Sequence, residues 1–240
     1  MSAEPVEQWE ARSPRELRAL VEQMAPQLAD ASAYEILEWA AQEFGEGLAV
    51  ASSMADAVLP HLAARALPGV DVVFLDTGYH FEETLRTRDE VAARLPVRML
   101  NIEPVRSVAQ QDAEFGRNLY GTDPGACCRM RKVEPLADTL QGYEAWATGL
   151  RRSDSAARAT TATLAWDEQH QLVKLNPIAA WTDGQVAAYA AEHDVPVNPL
   201  VEQGYASIGC GPCTLRPLLA GDARSGRWAG FAKSECGLHS

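Results

Sequence analysis

Apolar residues recur three or four positions apart over 14–24 and 32–44, the spacing of one buried helix face, and predict two helices there. After the Gly45-Glu46-Gly47 break the rhythm changes. The short apolar run 48–51 reads as a buried first strand, followed by a helix over 56–66 and a β-branched strand over 70–75 that ends at Asp76-Thr77-Gly78. A helix (81–94), a strand (97–102) and a helix (104–114) continue the alternation. Residues 116–126 are rich in Gly, Asn and Asp. They precede a helical segment over 127–140 and a strand near 144–148, which ends in Gly149-Leu150-Arg151-Arg152-Ser153. Strands separated by helices predict an α/β fold with a parallel sheet covered on both faces. Ligands of such sheets sit beyond the carboxyl ends of the strands, here near Ser52, Asp76-Thr77-Gly78 and 149–152. From 204 to 240 periodicity fades. The expected organisation is N-terminal helices (1–44) in one domain with an α/β core (45–203), then a mobile C-terminal segment (204–240).

Composition narrows the partners. With 21 Lys and Arg against 33 Asp and Glu, the net charge of -12 argues against nucleic acid as a partner, because neutralising phosphates takes clustered cations. Any anionic ligand must meet local basic residues. No apolar run approaches the roughly 20 residues that span a bilayer, and residues 1–18 show neither a basic start nor a continuous apolar stretch. No membrane association is expected, and the expected location is the cytoplasm. There, cysteines serve as ligands or catalysts rather than structural disulfides.

The five cysteines divide by spacing. Cys127 and Cys128 are adjacent, and Cys210 and Cys213 form a C-x-x-C far along the chain. Two close pairs of thiolates suit a tetrahedral zinc or an iron-sulfur cluster, and buried unligated thiols are the plain alternative. Cys236, in Glu235-Cys236-Gly237-Leu238-His239, is either an incidental thiol or a mobile nucleophile. Gly237 permits a turn, and His239 could bring a proton donor or positive charge to the sulfur. Glu235 opposes ionisation, so activation would have to come from cations such as Lys132, Arg224 or Arg227.

Several blocks together resemble a known family. They are Ser52-Ser53-Met54-Ala55-Asp56, Leu75-Asp76-Thr77-Gly78-Tyr79-His80, Cys127-Cys128-Arg129-Met130-Arg131-Lys132-Val133-Glu134-Pro135-Leu136 and Thr148-Gly149-Leu150-Arg151-Arg152. Asn176-Pro177-Ile178, Ser207-Ile208-Gly209-Cys210-Gly211-Pro212-Cys213 and the Cys236 block complete the set, in order from about residue 48 onward. They resemble the phosphoadenylyl-sulfate reductase family, in its iron-sulfur-containing assimilatory adenylyl-sulfate reductase branch.

The resemblance implies a Rossmann-like fold of the adenine-nucleotide alpha-hydrolase type, with one 4Fe-4S cluster per chain on Cys127, Cys128, Cys210 and Cys213. It implies reduction of adenylyl sulfate to sulfite and AMP in sulfate assimilation and cysteine biosynthesis. Cys236 would attack the sulfate sulfur to give an S-sulfonated cysteine, from which thioredoxin releases sulfite. Lys132, Arg224, Arg227 and His239 would bind the phosphosulfate, and Arg158 the nucleotide. Ser52 and Ser53 lie where related ATP-cleaving enzymes carry a glycine-rich loop; without those glycines, a hydroxyl-lined loop for one phosphosulfate is expected. Leu75, Thr77 and Gly149 would hold adenine and ribose through their backbones. The cysteine pairs favour adenylyl sulfate over its 3'-phosphorylated form, though some cluster-bearing members take both. Two rivals remain: an ATP-dependent sulfurtransferase, which needs the missing glycine-rich loop, and a cluster-based redox sensor, for which Cys236 would be incidental. Homo-oligomerisation stays open.

Overall fold

The computed structural model describes residues 11–217, 224–231, 233 and 235–239. The first ten residues of the expected N-terminal helical region therefore lie outside the described residues. So do 218–223, 232, 234 and 240 of the expected C-terminal segment.

Helices α1 (Pro14–Met24) and α2 (Ala33–Phe44) each begin at a serine. Ser13 and Ser32 accept from the backbone N–H three residues on, and Glu16 and Glu35 return the bond, so local sequence alone fixes both starts. Strands β1 (Leu48–Ala51), β2 (Asp71–Leu75) and β3 (Arg98–Ile102) alternate with α3 (Val58–Ala66) and α4 (Glu82–Arg94), as the hydrophobic pattern predicts to within two residues. Helix α5 (Val108–Phe115) departs from its expected start at 104. Ser107 takes the capping position, paired with Gln110, and excludes 104–107 from the helix. Short helices α6 (Leu119–Thr122) and α7 (Pro124–Cys128) occupy the Gly- and Asn-rich stretch. Helix α8 (Glu134–Leu140) follows α7 through a single π turn, Arg129–Val133. Pro135 has no N–H to give to the preceding turn, and the ladder widens ahead of it.

The remaining elements carry no sequence expectation: β5 (Leu164–Asp167), β6 (Leu172–Leu175), α9 (Asp183–Glu192) and α10 (Pro199–Glu202) follow β4 (Ala145–Thr148). Among the described residues the sheet has six strands in the order β3-β2-β1-β4-β6-β5, parallel except for β5, which runs against β6. Successive residues feed opposite cores. Leu48, Val50, Val72, Phe74, Ala145, Ala147, Val173 and Leu175 pack with α1–α3, whereas Ala49, Val73, Trp146 and Leu172 pack with Leu136 and Leu140 of α8. No helix among the described residues is long and apolar enough to cross a membrane.

Candidate active site

A cavity of about 270 Å³ opens at the carboxyl ends of β1, β2 and β4. Ser52 and Ser53 after β1, Leu75 at the end of β2 and Gly149 after β4 all line it, as the topology requires. The loop after β1 is held by polar bonds rather than by glycines. Ser52 Oγ accepts from the Met54 N–H (3.3 Å), Asn198 Nδ2 donates to the Met54 carbonyl (3.1 Å), and Met54 itself adopts φ 59°. Thr77 lies outside the lining, fully buried, with its hydroxyl 3.2 Å from Cys210 Sγ. Its loop is shaped by Arg131, a buried residue that sequence reasoning passed over. Arg131 donates to the Thr77 carbonyl, to the Arg106 carbonyl (3.2 Å) and to Gln111 Oε1 (3.1 Å). Gly78 takes φ +71°, and a Cβ there would meet Val108 at 3.0 Å and Arg131 at 3.2 Å, so glycine is required.

Every predicted cation reaches the cavity: Lys132 from the π turn, Arg158 from the loop after β4, Arg224 and Arg227 from the C-terminal segment. Arg158 sits in 3-10 turns and is only 13% exposed, held by Asp154 (3.0 Å) and by Glu235. The buried Arg227 Nε has no partner among the described residues, an orphaned donor that an anion would satisfy. Burial opposes the charge on Lys132, but Cys210 and Cys236 outweigh it and keep the ammonium protonated.

The C-terminal tail, expected to be mobile, is docked across this cavity with Cys236 in its lining. Three contacts place it. Glu235 joins Arg158 and Arg224, Leu238 packs against the Leu136–Trp146 cluster, and the His239 ring stacks on Trp146 (centroids 5.6 Å, planes 19° apart). Trp146 is fully buried and donates from Nε1 to Asp167 Oδ2 (3.0 Å), which makes it a fixed platform. Burial, then Lys174, Arg158, Arg224 and His170, push His239 well below its ordinary value. In this docked state burial and the neighbouring cations disfavour the charged form of the ring.

The other four cysteines line one small cavity beside the first, between Tyr79, Tyr120, Pro124 and Pro212. Cys127 and Cys128 reach it from the end of α7, just ahead of the π turn, while Cys210 is fixed by a bridge to His80 and by Thr77. Burial and the neighbouring thiols push Cys127 up to about 12 and Cys213 up to about 11. Burial also opposes ionisation of Cys210, yet Lys132, Thr77 and Arg227 together bring that thiol below its ordinary value. Three buried sulfurs and that of the half-buried Cys213, facing one largely apolar space, are a donor set suited to an iron-sulfur cluster. Among the described residues, no group of three or more His, Cys, Asp or Glu side chains is arranged to hold a metal ion.

The arrangement joins four cationic side chains and a thiol around one cavity of about 270 Å³. The chain is 56% identical over 230 residues to an adenosine 5'-phosphosulfate reductase of Streptomyces coelicolor, covering 96% of this chain and 98% of that protein. Among solved structures it is similar to phosphoadenylyl-sulfate reductase from Candida auris in a phosphate complex, with TM-score 0.69, 27% identity, and 81% and 96% of the two chains covered. An FMN adenylyltransferase from Candida glabrata shares the fold, with TM-score 0.55, 12% identity, and 88% and 69% covered. The model of the phosphoadenosine phosphosulfate reductase domain matches residues 47–216, and the chain belongs to that family.

Proposed function

We propose that this chain reduces adenylyl sulfate to sulfite and AMP, with Cys236 as nucleophile and thioredoxin as the cytoplasmic reductant. The observation that carries the reading is the position of Cys236, in the lining of one cavity with Lys132, Arg158, Arg224 and Arg227. The Cys236 thiolate attacks the sulfate sulfur, the bond from sulfur to the bridging oxygen breaks, and AMP leaves with the electron pair. A thiolate of thioredoxin then attacks Cys236 Sγ and expels sulfite. The second thiol of thioredoxin resolves the mixed disulfide, so two thiols supply both electrons. Lys132 and the arginines neutralise the phosphosulfate and stabilise charge as it moves to the leaving phosphate. His239, stacked on Trp146, orients the tail. Cys127, Cys128, Cys210 and Cys213 would hold a 4Fe-4S cluster, which when bound supplies a charged group beside Lys132 that tunes the field at the sulfate.

Replacing Cys236 with Ser tests this directly. Turnover should vanish while any cluster colour persists, and sulfite production at the normal rate would sink the mechanism. Substrate preference is tested by comparing adenylyl sulfate with its 3'-phosphorylated form. The Streptomyces coelicolor relative, named for the unphosphorylated nucleotide, and the cysteine pairs support the former; equal rates would refute that preference.

A further inference from the structure

The carboxylate next to the reactive cysteine occupies the cations that the proposed substrate needs. Glu235 accepts from Arg158 Nε at 2.9 Å and Nη2 at 2.8 Å, and from Arg224 Nη2 at 3.1 Å. The three side chains are 29%, 13% and 12% exposed, so the contact is largely shielded from water. A guanidinium presents the same paired N–H groups to a carboxylate as to a phosphate or sulfate oxyanion. Arg158 also donates to Asp154 Oδ2 at 3.0 Å, which keeps it aimed at the cavity when Glu235 leaves. Gly237, at φ +88°, separates Glu235 from the Leu238 and His239 anchors and allows one side of the tail to move while the other stays seated.

We infer that Glu235 is an internal competitor for the anionic end of the substrate: it holds Arg158 and Arg224 while the tail is docked, and the phosphosulfate must displace it. The inference rests on the reading that these arginines take that anion. One carboxylate is exchanged for a more highly charged group, and Cys236 loses one tether as substrate arrives. Apparent affinity is reduced by the fraction of time the arginines are free. If Glu235 holds them about nine-tenths of the time, the reduction is about tenfold.

The test measures binding of adenylyl sulfate by calorimetry to full-length protein carrying Cys236→Ser, which prevents turnover, with adenosine as the uncharged control. Adding Glu235→Gln should tighten adenylyl sulfate about tenfold and leave adenosine unchanged. Unchanged or weaker binding of adenylyl sulfate overturns the competitor role, as does equal tightening of adenosine. Arg158→Ala in the same background separates the two layers. If it weakens adenylyl sulfate while Glu235→Gln has no effect, the competitor alone fails. If it changes nothing, the arginine reading fails as well.

Discussion

Acidification should loosen the C-terminal tail, and His239 sets the size of the effect. Its ring is buried against Trp146, its Nδ1 has no hydrogen-bond partner among the described residues, and Lys174, Arg158, Arg224 and His170 all oppose its protonation. Docking therefore holds its titration well below the ordinary 6.5, the value expected of it in an undocked tail. The sign follows from proton counting. Below pH 6.5 the undocked tail binds a proton that the docked tail refuses, so His239's contribution to docking is complete above pH 6.5 and lost as pH falls. For one proton the docking constant drops about tenfold between pH 7.5 and 5.5, or about 1.4 kcal/mol. Hydrogen exchange of residues 235–239, corrected for the intrinsic pH dependence of exchange, reads this as a tenfold loss of protection. His239→Phe keeps a neutral stacking ring and should flatten the profile. A flat profile in the parent protein, or an equal slope in the variant, would refute the reasoning.

Gly209→Ala should disable Arg227 without unfolding the chain, because the added Cβ would run into the guanidinium, nearest Nη2 and 2.5 Å from Cζ. We expect kcat/KM to fall by about 10- to 100-fold, and Arg227→Ala added to it to cost little more; additive losses would contradict this. Asn198, fully buried, donates to the Met54 carbonyl (3.1 Å) and Thr84 Oγ1 (3.0 Å) and accepts from the Leu200 N–H (3.0 Å). Asn198→Ala leaves all three unpaired and should cost about 3 kcal/mol, lowering Tm by roughly 6–12 °C. Leu238→Ala removes apolar contact with the Leu136–Trp146 cluster. It should weaken tail docking by about 1 kcal/mol, seen as roughly fivefold faster exchange over residues 235–239 at pH 7.5.

The first half of the sheet was legible because β1, β2 and β4 are short apolar runs between helices with strong periodicity. Strands β5 and β6 were not, for a physical reason. Lys174 is mostly buried, with its ammonium 4.9 Å from the Trp146 ring centroid and 3.9 Å from Asp167, so a charged residue interrupts the pattern of a strand that is nonetheless interior. The Asn176-Pro177-Ile178 block was visible as a motif, but its job is structural: Asn176 accepts from Thr148 (2.5 Å) and donates to the Ala162 carbonyl (2.8 Å), tying β4 to β6. Motif positions brought Ser52, Ser53, Leu75, Gly149, the four cations, Cys236 and His239 to one cavity. Glu235, Arg131 and Trp146 act through contacts across long stretches of chain, which no local spacing announces. The lowered titration of His239 was hidden in the same way, since it depends on burial and on cations supplied by distant elements.

The central claim is that Cys236 receives the sulfonate group from the nucleotide. Incubating the full-length protein with adenylyl sulfate in the absence of any thiol, then mapping the peptides by mass spectrometry, tests it most directly. The account predicts one added SO₃ group on the peptide containing Cys236, in step with AMP release and removed as sulfite when thioredoxin is added. AMP release with no added mass on Cys236, or the added group on any other residue, would contradict it.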